Sequence, residues 1–341
     1  MKKQGIRKYC ARSPFLSALY YAFLDRSFHR EQQSVLAGLV QYTERSVFSQ
    51  KSLLRRNLHR IEKGLTAENK KEIFAEAYIG ETVSAFSNEV RCSTDQLSNK
   101  WAYDILKRYF EEVEKTKSIL EAWNLFKAID VSSLNSDPGK KFVPQRFMSS
   151  PDRMLSYDEF RSLCQNRHSI RSYQNKNVPR DALESAIEAA LNSPSACNRQ
   201  PFEFRIFDAP ELLNEVVNLP IGARTFAHGI PAMIFLVGNL NAYGSERDRH
   251  LIYIDGGLFT MSFVLALETL GLASCIIGWP DIEPKEKELE KILSLEKHQR
   301  CILCISVGYP NREIEVPYSQ KKCLNEIVTY NGRAADDECS N

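Results

Sequence analysis

The chain has 341 residues, which is too long for one ordinary domain and sufficient for two. Apolar residues make up 43% of it, enough to build a core, while charged residues make up 26% and leave a formal net charge of +2. That balance gives no general argument for nucleic-acid binding, which favours a basic patch or stripe. The nine cysteines lack the spacing of a disulfide-rich secreted scaffold, so we predict a reducing compartment and a cytoplasmic location.

The N-terminus imitates a signal peptide, because five basic residues within the first twelve precede the apolar run Phe15–Leu24. However, Ser17 interrupts the run, Asp25 and Arg26 end it, and no small-residue cleavage site follows. The run is also shorter than the ~20 residues that span a bilayer. These features favour an amphipathic core helix. The alternative is a basic, aromatic-rich helix that lies on a membrane surface.

Residues 1–135 are predicted to form a helical domain. Apolar residues recur at helical spacing through Phe15–Val47 and again through Trp101–Ile129. Between these segments, Gly64 is predicted to end one helix and Thr66 to cap the next. Residues 136–153 are rich in Ser, Pro and Gly and lack either period, which is the composition of a linker.

Residues 154–331 alternate helices with short β-rich runs and are predicted to form a layered α+β domain, followed by a disordered tail at 332–341. The predicted helices are Tyr157–Asn166 (capped by Ser156), Arg180–Asn192 and Gly256–Leu270. The predicted strands are Glu203–Phe207, Ala232–Val237, Ala273–Ile277 and Cys301–Val307.

Four clusters in this second half bear on chemistry. Arg167–Tyr173 brings two arginines and a serine hydroxyl together, a set suited to a phosphate, although a solvated basic turn is the preferred interpretation when the heptad is taken alone. Pro194–Phe202 is a polar loop between two prolines. In Leu270–Trp279 a helix ends at Gly271, a buried strand follows, and Gly278 permits close approach of a ligand. The fourth is Gly308-Tyr309-Pro310, followed by Lys321–Val328, where paired lysines are usually a solvated face.

Taken in order, these clusters resemble the nitroreductase family of FMN-dependent enzymes. That family has an R-x-S-x-[RK]-x-[FY] turn, a PS-x-x-N-x-QP loop, an LGL-x-(S)-x-x-IG element, and a GYP strand end before R-K-x-L-x-E-[IV]-V. The resemblance covers roughly the last half of the chain. It implies a central mixed sheet flanked by helices, non-covalently bound FMN, NAD(P)H as electron donor, and an intertwined homodimer with two sites at its interface.

The resemblance also implies roles for individual residues. Arg167 and Ser169 would hold the FMN phosphate, with Lys321 and Lys322 approaching from the C-terminal arm. The backbone N–H of Gly278 would meet flavin N5, and no side chain is assigned a catalytic role. Arg171 would lie near the pyrimidine edge, Arg224 near a further flavin contact, and Ser195 and Asn198 would reach the flavin of the partner subunit. The full implied set is Arg167, His168, Ser169, Arg171, Pro194, Ser195, Asn198, Gln200, Ile277, Gly278, Lys321 and Lys322.

The chain departs from the family pattern in two respects. It reads Lys321-Lys322-Cys323 where Arg-Lys-Pro is usual, and its second half has no long insertion that would build a substrate lid. The nature of the acceptor is therefore open. No metal site is predicted: Cys301 and Cys304 form a C-x-x-C, but within a strand their side chains are predicted to lie on opposite faces. The sequence also contains no G-x-G-x-x-G.

The segment His59–Leu65 is the notable feature of the first half. His59, Glu62 and Lys63 fall at i, i+3 and i+4 and so share one face of a helix. The segment is similar to one in nitroreductase-like proteins of bacterial surface-polysaccharide gene clusters. An ion-paired helix end is the simpler interpretation. The functional alternative is a face that packs over the flavin pocket or binds a partner.

Three functions remain open at this point. The first is NAD(P)H-driven, ping-pong reduction of a small electrophilic or conjugated acceptor, with a link to surface-polysaccharide biosynthesis suggested by the His59–Leu65 resemblance. The second is an FMN-dependent dehydrogenase or oxidase that acts on a sugar- or amino-acid-derived substrate. The third is a flavin-bearing interaction protein that works through its helical N-terminal half.

Overall fold

Helices fill the first half of the chain, and a sheet covered by helices forms the second. The computed structural model describes residues 2–134, 141–145, 155–331 and 333–334, so most of the predicted linker (136–153) and of the predicted tail (332–341) lies outside the described residues. The helices of the first half are α1 (Lys2–Cys10), α2 (Pro14–Leu19), a π-helical turn (Tyr20–Leu24), α3 (His29–Thr43), α4 (Val47–Leu65), α5 (Ile79–Cys92), α6 (Gln96–Glu112) and α7 (Lys117–Lys127).

The second half adds six helices and six strands to the described part of the chain. They are α8 (Tyr157–Asn166), α9 (Arg180–Ala190), β1 (Phe202–Phe207), α10 (Pro210–Val216), β2 (Ala232–Asn239), α11 (Leu251–Thr269), β3 (Ala273–Gly278), α12 (Glu283–Leu293), β4 (Gln299–Gly308), α13 (Leu324–Ile327), β5 (Thr329–Tyr330) and β6 (Arg333–Ala334). The predicted capping of α8 is confirmed, because Ser156 and Glu159 form a reciprocal capping box.

The helical region is held together by a core of its own, to which α4, α5, α6 and α7 contribute their apolar faces. Side-chain oxygens of Ser46, Asp95 and Thr116 cap the amino ends of α4, α6 and α7, which satisfies otherwise unpaired backbone N–H groups. The core is rich in aromatic rings, whose large buried areas stabilise it. Its fully buried aromatic side chains are Phe86, Tyr109 and Phe110.

Two predicted helix signals in this region are wrong, Gly64 as a helix terminator and Thr66 as the cap of a following helix. The helical periodicity of Phe15–Val47 is distributed over α2, the π-helical turn and α3, with a break between Leu24 and His29. Thr66 caps the carboxyl end of α4, where its hydroxyl donates to the Glu62 carbonyl at 2.9 Å, and no helix follows before Ile79. Gly64 lies inside α4, and a Cβ at that position would come within 2.5 Å of the Phe74 ring. The glycine therefore serves packing rather than helix termination.

The main sheet has the strand order β1-β2-β4-β3, and each of its neighbouring pairs is antiparallel. The family resemblance predicts a mixed sheet. Among the described residues, the parallel pairing in this sheet is one bridge between Ser169 and Ser274. One face of the sheet packs against α9 and α11, and the other packs against α10 and α12. Helix α11 ends where predicted, with Gly271 in the left-handed conformation at φ +71°.

A β-bulge in β4 makes one prediction wrong. Leu236 of β2 pairs with Leu303, but the next residue, Val237, pairs with Cys301, so Ile302 is an extra residue without a partner. The bulge reverses the two-residue alternation, and Cys301 and Cys304 therefore lie in the same core cluster on the same face. Burial raises the pKa of the Cys301 thiol, so the thiol is in its neutral, unreactive form.

Helix α11 is apolar on nearly all sides. The helical segment 246–269 is long and apolar enough to suit a membrane span by length and composition, but a buried core helix meets the same description. One face of α11 packs on the sheet and on α9. The opposite face leaves an apolar stripe exposed at helical spacing, formed by Ile254, Leu258 and Met261.

The helical region packs directly on the second half of the chain. Gly38 of α3 lies so close to the Leu240 backbone that a Cβ would approach within 2.7 Å. Arg30 of the same helix forms ion pairs with Glu283 and Glu290 of α12, at 2.8 and 2.9 Å. Helix α4 contacts the polar loop before β1, where Arg55 Nε donates to the Asn198 carbonyl at 2.9 Å.

Candidate functional site

The segment after α8 is fixed along the outer edge of β3. The Ile170 backbone N–H donates to the Ser274 carbonyl at 3.0 Å, which anchors this segment to the sheet. Tyr173 follows and is buried; its hydroxyl bonds Ser306 Oγ at 2.8 Å and donates to the Ile170 carbonyl at 2.6 Å. Because both ends of the turn are held, Arg167, Ser169 and Arg171 occupy defined positions beside the strand.

A cleft of about 600 Å³ opens between this turn and the C-terminal arm. Four of its lining residues are cations, Arg161, Arg167, Arg171 and Lys321, and none of the described lining residues is acidic. Within the described residues these four cations form no ion pair with a carboxylate. Unpaired guanidinium groups beside a serine hydroxyl suit an oxyanion such as a phosphate.

His168 also lines the cleft, and its Nδ1 lies 2.7 Å from the Asn166 carbonyl. Lys321 lines the cleft as predicted for the C-terminal arm. Lys322 does not line it, and its ammonium lies 3.9 Å from Glu326. The structure therefore brings four residues of the implied cofactor-binding set, Arg167, His168, Ser169 and Arg171, together with Lys321 and leaves Lys322 outside.

Strand β3 presents free main-chain groups next to this cleft. The Ser274 carbonyl accepts from Ile170, so the main-chain groups of Ser274 face away from β4. Because strand residues alternate in direction, those of Ile276 and Gly278 face the same open edge. Gly278 is exposed, and a Cβ there would meet no atom within 4 Å. Its N–H is therefore available to a bound molecule.

Ile277 and Arg224 lie at the same end of β3. The Ile277 side chain is buried in the core, so it does not face the cleft. Arg224 is exposed and ends a short 3-10 turn (Ile221–Ala223) whose Gly222 packs against Ile277.

The polar loop Pro194–Gln200 is unusually constrained. Cys197, Asn198 and Gln200 have φ values of 53°, 54° and 51°, the left-handed region that costs free energy for residues other than glycine. Ser195 Oγ accepts from the Gln200 N–H at 3.0 Å, and Gln200 Nε2 donates to Asn198 Oδ1 at 2.8 Å. Pro194 is exposed at the start of the loop. Strain of this kind persists where the surrounding structure enforces it, often at functional sites.

Asp255 of α11 anchors this loop through a hydrogen bond. Its side chain is 2% exposed, and Oδ2 accepts from the Ala196 N–H at 3.0 Å. Burial raises the pKa of Asp255, with the Ala196 hydrogen bond opposing that effect. The sequence does not indicate this role for Asp255, because its partner lies 59 residues away in the chain.

We expect Asp255→Ala to lower protein stability by about 1–3 kcal/mol, because it leaves a buried N–H unsatisfied. Asp255→Asn keeps an acceptor oxygen and should recover most of that loss. Urea unfolding of the two variants and of the unchanged protein measures the difference. Equal stability of Asp255→Ala and the unchanged protein would contradict an anchoring role.

The loop and the cationic cleft do not meet within one chain. The loop leads into β1, whereas the cleft lies beside β3, at the opposite edge of the four-stranded sheet. Three strand spacings separate these edges, about 14 Å. One chain thus carries the two halves of the implied site, Arg167–Arg171 with Lys321 and Ser195–Gln200, at separate places.

A second cavity, of about 1160 Å³, lies between α3 and α12. Acidic and basic side chains both line it, and none of the implied cofactor-binding residues lines it. The cleft beside β3 is smaller, but all of its charged lining residues carry the same sign of charge. It is therefore the better candidate for ligand binding.

Fold and site together define an α+β domain with a cation-lined cleft beside a free strand edge. Residues 164–309 match the model of the Nitroreductase family. Iodotyrosine deiodinase 1 of Mus musculus is 21% identical over 215 residues, covering 55% of this chain and 74% of that protein. A putative NADH dehydrogenase/NAD(P)H nitroreductase of Archaeoglobus fulgidus is 27% identical over 157 residues, covering 46% of this chain and 88% of that protein.

Among solved structures, an FMN-dependent nitroreductase from Clostridium difficile is 22% identical with a TM-score of 0.42, covering 50% of this chain and 97% of that one. Because residues 164–309 match that family's model, this part of the chain is a nitroreductase-family domain, and the similar proteins indicate an oxidoreductase. The predicted family resemblance and the predicted α+β fold class are confirmed. The helices of residues 2–127 precede the matched segment.

Proposed function

We propose that the protein is an FMN-dependent oxidoreductase that works as a homodimer. The observation that carries the proposal is the cleft beside β3, where unpaired cations adjoin free main-chain donors. Arg167, Ser169 and Lys321 would hold the phosphate, and Arg171 would lie near the pyrimidine edge. When bound, FMN supplies hydride chemistry, while the protein supplies binding, orientation and electrostatics.

Arg171 and Gly278 would tune and orient the cofactor. A positive charge near the pyrimidine edge stabilises a reduced, anionic ring and so favours its reduction. The Gly278 N–H, on the open edge of β3, would donate a hydrogen bond near flavin N5. The absence of a side chain at Gly278 leaves room for a ring to approach the backbone.

A second copy of the chain would complete the site. The exposed stripe of Ile254, Leu258 and Met261 is an apolar helix face of the kind that subunit interfaces bury. In a twofold dimer the same stripe meets itself, which allows the loop of one subunit to approach the cleft of the other. Ser195, Asn198 and Gln200 would then reach the partner's cofactor.

The proposed reaction is ping-pong: NAD(P)H reduces the cofactor, and a small electrophilic or conjugated acceptor is then reduced. A dehydrogenase or oxidase acting on a sugar- or amino-acid-derived substrate is the alternative within the same chemistry. Cytoplasmic location and a role in surface-polysaccharide biosynthesis are further proposals, supported by cysteine usage and by the His59–Leu65 resemblance. A flavin-bearing interaction protein that works through its helical N-terminal half is the remaining alternative.

The visible absorbance of the purified protein tests the proposal. We expect flavin bands that bleach when NADPH or NADH is added without oxygen, because the family's cofactor is reduced by nicotinamides. Bands that persist with both nicotinamides would favour the dehydrogenase alternative. Colourless protein that takes up no added FMN would contradict the cofactor assignment.

A further inference from the structure

Arg55 is a half-buried cation that the proposed reaction does not use. It belongs to α4 in the helical region, yet its Nε donates to the carbonyl of Asn198 at 2.9 Å. Its guanidinium carbon lies 5.3 Å from the centre of the Trp101 ring. These two contacts hold the guanidinium plane between the loop of the second half and an aromatic side chain of the first.

The carboxylates nearest to Arg55 are already engaged. Glu62 accepts from Trp101 Nε1 at 3.0 Å, and His59 lies 3.7 Å from its other oxygen. Asp95 caps α6 through the Ser98 N–H and pairs with Lys51 at 3.2 Å. No carboxylate of the described residues lies within ion-pair distance of Arg55, and none of those residues accepts from its Nη atoms.

The environment of Arg55 makes an unpaired charge costly. Burial lowers the pKa of its guanidinium, against the opposing effects of Asp95 and Glu62. A guanidinium kept charged, partly desolvated and with free Nη donors is suited to pair with an incoming oxyanion, since such hydrogen bonds are the stronger kind. The free donor pair lies beside Asn198 of the strained loop, which in the proposed homodimer would approach the cofactor site of the partner subunit.

We propose that Arg55 is a specificity-determining residue that binds the oxyanion of an acidic electron acceptor, with helix α4 and Trp101 forming the acceptor side of the site. The inference rests on the proposed function, because the loop that Arg55 contacts would reach the partner's FMN. The helical region would then form the substrate lid that the second half lacks. The inference also assigns a role to two residues of the His59–Leu65 segment, because Glu62 accepts a hydrogen bond from Trp101 and His59 lies beside Glu62.

The test uses the FMN-loaded full-length protein and titration calorimetry with benzoate, phenyl phosphate and benzamide. We expect at least one of the two anions to bind about tenfold more tightly than neutral benzamide; the preferred anion tells whether the acceptor carries a carboxylate or a phosphate. Arg55→Gln should weaken binding of that anion by about tenfold to a hundredfold and leave benzamide binding unchanged. Arg60→Gln is the matched control, since this exposed arginine lies on the same helix and stacks on Tyr78.

Two results would overturn the inference: equal affinities for anions and benzamide, or an unchanged anion preference in Arg55→Gln. Arg55→Lys keeps the charge and should retain FMN with part of the preference. Loss of FMN in both Arg55 variants would make this residue a support of the loop, which also contradicts the inference. If the protein binds FMN and is reduced by NAD(P)H but shows no preference for anions over benzamide, that result contradicts only this inference. A protein that binds no FMN contradicts the proposed function, and this inference falls with it.

Discussion

Leu258→Lys is expected to convert the proposed homodimer into monomers and to remove most of the bound flavin. Leu258 is 45% exposed at the centre of the apolar stripe on α11. A symmetric interface would bury two added ammonium groups against apolar side chains without partners, at a cost of several kcal/mol. Size-exclusion chromatography with light scattering gives the mass, and visible absorbance of the same fractions gives the flavin content.

The control for this experiment is Leu212→Lys, the same change at another exposed leucine, on α10. It should leave mass and flavin content unchanged. A flavin-loaded monomer of Leu258→Lys would show that one chain completes the site by itself. A flavin-loaded dimer would show that the subunits meet elsewhere. Either outcome would contradict the proposed arrangement, in which the loop before β1 reaches the cleft of the partner.

Arg167→Ala is expected to weaken FMN affinity by about tenfold to a hundredfold, because a hydrogen bond between charged groups contributes about 1.5–3 kcal/mol. Arg167 lines the cleft, and none of the described residues forms an ion pair with it. Flavin fluorescence titration of the protein after removal of its flavin measures the dissociation constant. Thermal stability without FMN should stay the same, since the Arg167 guanidinium has no ion-pair partner to lose among the described residues.

Arg180→Ala is the matched control for Arg167→Ala. Arg180 is an exposed arginine of the same domain, and its ion pair with Asp208 lies outside the cleft. Its loss should leave FMN affinity unchanged, because surface ion pairs contribute little. If both Arg167→Ala and Arg180→Ala bind FMN as tightly as the unchanged protein, Arg167 does not hold the phosphate. A matching loss in both variants would indicate a general effect of net charge instead.

Much of the fold could be predicted because its signals are local. Strands β1 to β4 and helices α8, α9 and α11 appear near their predicted positions, since apolar periodicity, caps and turn residues act over a few neighbours. Gly271 ends α11 because only a residue that tolerates positive φ suits that position. The cluster Arg167–Arg171 could also be identified in the sequence, because its donors are close together in the chain and are held on one strand edge.

Other features depend on partners that are distant in the chain. Gly64 looks like a helix terminator, yet the approach of the Phe74 ring explains it. Cys301 and Cys304 share a face because of a bulge at Ile302, which arises from the pairing of β4 with β2. Arg55 carries no motif at all, and its contact with Asn198 spans 143 positions. Such pairings come from packing, which a periodic pattern does not encode.

By itself the sequence determined the family, the α+β class and the members of both halves of the candidate site, because these follow from short runs of residues with fixed spacing. Only the tertiary structure decided how those halves lie. It places the cleft at the β3 edge and the strained loop at the β1 edge, with β2 and β4 between them. It also brings Arg55 and Trp101 of the helical region to that loop. The physical reason is that strand order and helix docking are set by long-range burial and hydrogen bonding, which act between segments far apart in the chain.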